Sequence, residues 1–230
     1  LYDAATARDR GSICSDGPIN IDGTSLIRGD ARSGKDDDVT MTGNTVVTRS
    51  IGRRLKPLNI EPVDASIAAF NNDNAQVPLL QKGNSFVSPV DAQGNFLLDG
   101  NNEIDLPPGT YYFNDFTLAG GAVFDVSGPT TIYLTGDLHR AGTTWVGNST
   151  QKPVNLQLIM TGGTATVTSN NDFYGVIYAP HSDVIVDGGS DYFGAILGKT
   201  LTITGSGKGH YDESLKMEHI EFPSRTTLVD

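Results

Sequence analysis

The chain has a single cysteine, Cys14, in 230 residues, so no internal disulfide holds the fold together. The thiol is expected to behave as a small buried apolar side chain, with an intermolecular bridge as the alternative. Long apolar runs are also missing. No stretch approaches the ~18 residues that cross a bilayer, so no membrane span is expected in this chain. No basic start followed by an apolar h-region is present either. The first residues, Leu1-Tyr2-Asp3-Ala4-Ala5, lack an initiator Met. The expectation is a processed piece of a longer precursor whose targeting segment has been removed. Basic residues are few: 16 against 27 acidic ones, a formal charge of -11. That balance argues against nucleic acid and against an anionic membrane surface. It suits a soluble extracellular protein. Helix formers in periodic runs are scarce.

Glycine is abundant, with 27 residues, and Asn, Asp, Ser and Thr are frequent. This is the profile of many short strands joined by tight turns. Ile19-Asn20-Ile21 ends at Asp22-Gly23, Val39-Thr40-Met41 ends before Gly43-Asn44, and Asn95-Phe96-Leu97-Leu98 ends at Asp99-Gly100. Residues 53–85 differ. Pro57, Pro62 and Pro78 punctuate them, and Asp64 to Phe70 is the best helical window. Asp64 can cap it, with Ile67 and Phe70 on one face. One short helix over 64–71 is expected, packed on the β body as part of an insertion or cap.

An internal repeat gives the strongest fold signal. Tyr174-Gly175-Val176-Ile177-Tyr178-Ala179-Pro180 recurs 19 residues later as Phe193-Gly194-Ala195-Ile196-Leu197-Gly198-Lys199. Each copy runs into a second strand and a glycine turn. A period near 20 with two or three short strands is one coil of a β-helix. A β-sandwich also has short strands and frequent turns, but it supplies no reason for the self-similarity. The expected fold is therefore all-β, a right-handed parallel β-helix-like solenoid of eight to ten coils with one short packed helix. The whole chain, 1–230, is expected to form one domain. Gly175, Ile177, Pro180, Gly194 and Ile196 are its structural positions. Ile177 and Ile196 should be buried and stacked, with Tyr174 and Phe193 also stacked and pointing inward.

These residues, together with Ser25-Leu26-Ile27-Arg28-Gly29-Asp30, Leu106-Pro107-Pro108-Gly109-Thr110, Thr131-Ile132-Tyr133-Leu134 and His210-Tyr211-Asp212-Glu213, resemble a bacterial domain of unknown function. That domain is found C-terminal to PilX-type, prepilin-like segments. The chain is also similar to the ice-binding-like adhesive domains of choice-of-anchor A surface proteins. The resemblance implies a cell-surface, pilus-associated or adhesive role, and it carries no active site to transfer.

Each candidate site has a structural reading beside the functional one. Asp36-Asp37-Asp38 offers carboxylates for calcium but lacks EF-hand spacing, and reads as a solvated loop. Asp183, Asp187 and Asp191 recur four apart. In polysaccharide lyases of this fold such carboxylates work with a base, here Lys199 or His181; the plainer reading is turn-forming aspartate. His210 and Asp212 belong to a segment, 210–230, expected to cap an exposed end of the solenoid. His139, His181 and His219 have no ligand spacing. Arg28-Gly29-Asp30 and the acceptor pattern at Asn148 read as coincidence. Threonine rows at Thr164, Thr166, Thr168 and Thr200, Thr202, Thr204 lack the coil-by-coil regularity of an ice-binding face. Trp145, Tyr192 and Tyr211 are aromatics able to stack on sugars.

Three function classes follow. The leading one is a non-catalytic extracellular structural or adhesive module that self-associates or joins other surface or pilus subunits. A carbohydrate-binding module and a β-helix polysaccharide lyase are the alternatives. No catalytic residue or cofactor is assigned, with calcium at Asp36, Asp37, Asp38, Asp183 or Asp187 as the one cation considered. Glycan is a second partner class, and nucleic acid is not expected.

Overall fold

The computed structural model describes residues 11–57, 60–168, 171–189, 191–212 and 215. In chain order the first strands are β1 (Ile13–Cys14), β2 (Ile19–Ile21), β3 (Leu26–Ile27), β4 (Ala31–Ser33), β5 (Val39–Met41), β6 (Val46–Val47) and β7 (Ile51–Arg53). An insertion follows, with helix α1 (Ser66–Phe70) and the hairpin β8 (Leu80–Lys82) and β9 (Ser85–Val87). Next come β10 (Phe96–Leu98), β11 (Glu103–Leu106), β12 (Gly109–Phe113), β13 (Phe116–Leu118), β14 (Val123–Val126) and β15 (Thr130–Leu134). The last strands are β16 (Leu138–Arg140), β17 (Trp145–Val146), β18 (Leu156–Met160), β19 (Thr164–Thr168), β20 (Phe173–Asp187), β21 (Tyr192–Ile203) and β22 (Lys208–Tyr211). Among the described residues no helix is long and apolar enough to cross a membrane.

All pairings outside the β8–β9 hairpin and one isolated bridge are parallel, as a solenoid requires. The strands stack in three columns. The first runs β10, β13, β16, β19, the end of β20, the end of β21, β2 and β5. The second runs β11, β14, β17, the start of β20, the start of β21, β22, β3 and β6. The third runs β12, β15, β18 and the middles of β20 and β21, and then resumes as β1, β4 and β7. Eight three-strand coils result, within the expected eight to ten.

Spatial order does not follow chain order. The coils at the start of the chain stand on those from its end, with Ile19 of β2 beside Leu201 of β21. The sixth coil is therefore composite: β21 and β22 supply two sides and β1 the third. The described part of the 210–230 segment lies here, inside the stack rather than at its end. His210 and Tyr211 are held in β22, between β21 and β3; residues 216–230, including His219, lie outside the described residues.

Period-2 alternation turns one side chain of each pair inward, and like residues stack along the core. One inward column reads Phe96, Phe116, Leu138, Ala165, Val184, Leu201, Ile19 and Val39. The lowest coils hold an aromatic block. The Phe96 and Phe116 rings stack at 4.6 Å, and Phe124 meets Phe116 edge-on at 5.2 Å. Such pairs add to the burial of their area. Corners are made by glycine. Gly194 sits at φ 140°, and a Cβ there would lie 1.9 Å from the Gly175 carbonyl oxygen.

The insertion returns the chain from the last coil to the first along the third column. Its residues Ala65 and Ala68 cover an outward row of Tyr133, Ile159 and Tyr178, and the Tyr178 hydroxyl donates to the Glu61 carbonyl at 2.6 Å. The N-cap position of α1 is Ala65, not Asp64, and carries no side-chain cap; Asp64, one residue earlier, accepts the Ser66 N–H at 3.0 Å. The buried face is different from the expected one. Alanines pack, because only a small residue fits over the tyrosine row, and Ile67 and Phe70 are left 63% and 94% exposed. Val77 and Leu80 then plug the bottom of the core.

Candidate interaction surfaces

The repeat is placed as expected: Ile177 is the register partner of Ile196, and Gly175 that of Gly194. Two details are corrected. Ile177 is fully buried but Ile196 is only half-buried, because the composite coil above it is poorly filled. Tyr174 and Phe193 stack at 4.5 Å and 5°, with Phe193 buried and Tyr174 half-buried, but outside the main core cluster. Their neighbours Phe173 and Tyr192 are the pair in the core, stacked at 5.0 Å. Tyr192 is thus no sugar platform. Its hydroxyl donates to backbone carbonyls, and burial raises its pKa well above the usual value. Pro180 is buried at a corner where the β20–β21 register shifts.

The Tyr174–Phe193 stack continues to His210, whose ring lies 4.5 Å from Phe193. His210 Nε2 is 3.0 Å from a carboxylate oxygen of Asp191, and the other oxygen accepts the Lys208 N–H. Asp212 is half-buried, and its N–H reaches the Gly194 carbonyl. Asp183 and Asp187 face the same way in β20, about 13 Å apart at the ~3.3 Å rise of a strand. Each is engaged one coil up: Thr200 donates to Asp183 at 2.7 Å and Thr204 to Asp187 at 2.6 Å. His181 and Lys199 are exposed. Asp38 pairs with Arg53, and Asp36 and Asp37 stay in the polar loop. No group of three or more His, Cys, Asp or Glu side chains able to hold a metal forms among the described residues.

The same coil-to-coil pattern absorbs other motifs. Asp30 of Arg28-Gly29-Asp30 accepts from the N–H and hydroxyl of Ser50, which lowers its pKa. Asn148 is buried, and its amide donates to the Lys152 carbonyl at 2.6 Å, so its side chain is turned away from solvent. Thr117, Thr166, Thr202 and Thr40 do share one outward column, interrupted by His139, Ile185 and Asn20.

Two features had no signal in the motifs. Arg140 points into the core from the column between Leu118 and Val167 and is 2% exposed. One Nη donates to the carbonyls of Thr144 and Asn171 at 3.1 and 2.7 Å, while its Nε and other Nη have no partner among the described residues. Burial lowers its pKa to about 10, with Asp172 opposing. The second feature is an apolar cavity of about 360 Å³ at the composite coil, lined by Ile13, Ile27, Ile177, Ile196 and Gly209 among others. It exists because Gly209 falls in the inward column between Tyr192 and Ile27, and because β1 pairs with β4 but not with β21. Cys14, at its rim, is half-buried.

A three-sided parallel β-solenoid with a side insertion and a composite sixth coil is thus the class of protein present. Residues 126–218, from the end of β14 past β22, match a domain of unknown function, DUF7305. No curated protein matches the chain. Two solved structures of an ice-binding protein, LeIBP, from an Arctic yeast are similar in shape. The glycosylated form aligns at 13% identity over 92% of this chain and 96% of that one, with a TM-score of 0.47. The other, described for its antifreeze activity, aligns at 13% identity over 88% and 90%, with a TM-score of 0.45.

Proposed function

We propose that this chain is a non-catalytic, extracellular structural or adhesive module, displayed at a bacterial cell surface in association with a pilus or filament. The observation that carries the reading is where the polar side chains go. Asp22, Asp30, Asp183, Asp187 and Asp191 each bond a residue one coil away, so they lace the shaft instead of converging on one point. Chemistry on a substrate needs convergence of nucleophile, base and stabilising donors; a scaffold needs only a rigid shape. The pilus and surface-anchor associations rest on the sequence resemblance alone. Incubating the purified chain with a panel of uronate-containing polysaccharides should release no product. Cleavage that disappears in Asp183→Asn or Asp187→Asn would replace this reading with a lyase.

A second reading, glycan binding, is favoured by Trp145. It is 41% exposed on the shaft, with its six-membered ring against Gly147 beside Asp125, and an exposed aromatic ring can stack on a sugar. A glycan array should then show binding that Trp145→Ala abolishes.

A further inference from the structure

We propose that the two ends of the solenoid dock head to tail, so that copies of this chain stack into an open filament. The inference deepens the self-association part of the proposed function and rests on it. Three independent observations point to it.

The first is the distribution of exposed apolar side chains. Among the described residues, Val46, Ile51 and Leu55 lie at the last coil. Leu79, Phe86, Val87 and Leu97 lie at the first coil and its cap. The flank between shows only Ile67 and Phe70 on the helix that covers its tyrosine row, and Trp145 on a strand. An adhesive surface on the flanks would show the reverse. Exposed apolar patches rimmed by polar residues mark contact sites.

The second is charge. The span 35–56, which forms the last coil, holds five basic and three acidic residues, net +2; the span 91–105, which enters and forms the first coil, holds four acidic and no basic residues, net -4. Arg53 already pairs with Asp38, so the complementarity is a field between opposite ends rather than a set of waiting ion pairs. Two identical ends would repel, which disfavours a closed pairing and favours a heterologous contact; a heterologous contact that does not close makes a filament.

The third is what each end presents. Among the described residues β5, β6 and β7 have no further strand beside them at the basic end, and an edge strand is a template for addition. At the acidic end β10 is covered by Pro89 and Val90, and β12 by the side chains of Asp73 and Asn74, so the coil position beyond them is filled by the insertion. The next copy therefore meets this cap, with its exposed Phe86 and Val87, and not a continued strand ladder.

The test uses the full chain with one end altered at a time. Val46→Asp with Ile51→Asp disables the basic end, and Phe86→Lys with Leu97→Lys disables the acidic end. All four side chains are exposed, so the coils do not depend on them. In sedimentation velocity the parent chain should grow in mass with concentration, and should associate several-fold less as salt rises from ~0.05 to ~0.5 M, where the screening length falls below the spacing of surface charges. Each one-ended variant should remain a single chain, and a 1:1 mixture should stop at two chains. A parent that is a single chain at every concentration, a one-ended variant that still assembles, or a mixture that grows past two chains would overturn the proposal. Should a variant fail to fold, Val46→Cys with Phe86→Cys in a Cys14→Ser background gives the same answer. The two thiols sit at opposite ends of one rod, so oxidation should give a ladder of two, three and four chains, and the absence of that ladder refutes stacking. A chain that never stacks yet still adheres to cells would sink this inference and leave the adhesive module standing.

Discussion

Replacing Arg140 by Met should stabilise the protein. The guanidinium is buried among Leu118, Val167 and Phe173, with its Cζ 5.9 Å from the Phe173 ring centre. Its pKa falls from 12.5 to about 10, which at 1.36 kcal/mol per unit corresponds to about 3 kcal/mol of penalty for carrying the charge in the folded state. Against that stand two hydrogen bonds to carbonyls, worth about 1 kcal/mol each. The Thr144 carbonyl keeps the Asn171 amide as a partner. The net expectation is a gain of about 1 to 2 kcal/mol, within the range for apolar replacement of buried charge. For a chain of this size it should appear as a rise in Tm of roughly 2 to 8 °C. The sign with pH is also fixed. A base whose folded pKa lies below its unfolded value destabilises fully below the folded pKa and ceases to do so once pH exceeds the unfolded one. The advantage of Arg140→Met should therefore hold at pH 7 to 9 and narrow as pH rises through about 10. Thermal and urea unfolding of the two proteins across pH 7 to 11 measures both. A loss of more than about 1 kcal/mol at pH 7 would refute the reasoning and show that the two carbonyl bonds at the corner outweigh the burial of the charge.

Gly209→Ala should add about 1 kcal/mol, because its Cβ would meet only Ile27 at 3.9 Å and would fill part of the cavity while restricting the unfolded chain; chemical denaturation checks it. Ile177→Ala should cost about 2 to 5 kcal/mol and Ile196→Ala less than half as much, since Ile177 is fully buried and Ile196 only half-buried; equal losses would mean that the two positions are equally well packed. Acid should loosen the turns first. Hydrogen bonds from Thr42, Ser50 and Asn95 lower the pKa of Asp22, Asp30 and Asp91, so what these groups contribute is complete above about pH 3.8 and is lost as pH falls below it. Amide exchange at residues 42, 50 and 95 should accelerate between pH 4 and pH 2 more than exchange in β12–β15 relative to the intrinsic rate.

The part of the fold that was legible in the sequence is the part that repeats. The copies at 174–180 and 193–199 lie in neighbouring coils, and short strands with glycine turns are enough to announce a solenoid. What was not legible is everything that depends on which coil meets which. Ile19-Asn20-Ile21 and Leu201-Thr202-Ile203 share a pattern with many other strands, so nothing in either says that they are neighbours. The expectation of a cap at 210 followed from assuming that the end of the chain is the end of the stack. The same assumption hid the cavity, since Gly209 looks like a turn glycine until it is placed between Tyr192 and Ile27. Period alone also leaves a strand's inward face ambiguous, which is why Tyr174 and Phe193 read as part of the main core. In α1 the larger side chains read as the buried face, but the tyrosine row beneath admits only alanine. Arg140 follows Leu138 and His139 in a strand that reads as ordinary, and only the three-dimensional column shows it buried.

Small-angle X-ray scattering of the purified chain over a concentration series tests the central claim most directly. Eight coils at the ~4.8 Å strand spacing make a body about 38 Å long before its cap, and end-to-end docking lengthens it without widening it. The account predicts that the largest dimension grows with concentration while the cross-sectional radius of gyration stays that of one chain. A cross-section that grows as well would place the contacts on the flanks, and a profile that does not change with concentration would remove self-association from the account altogether.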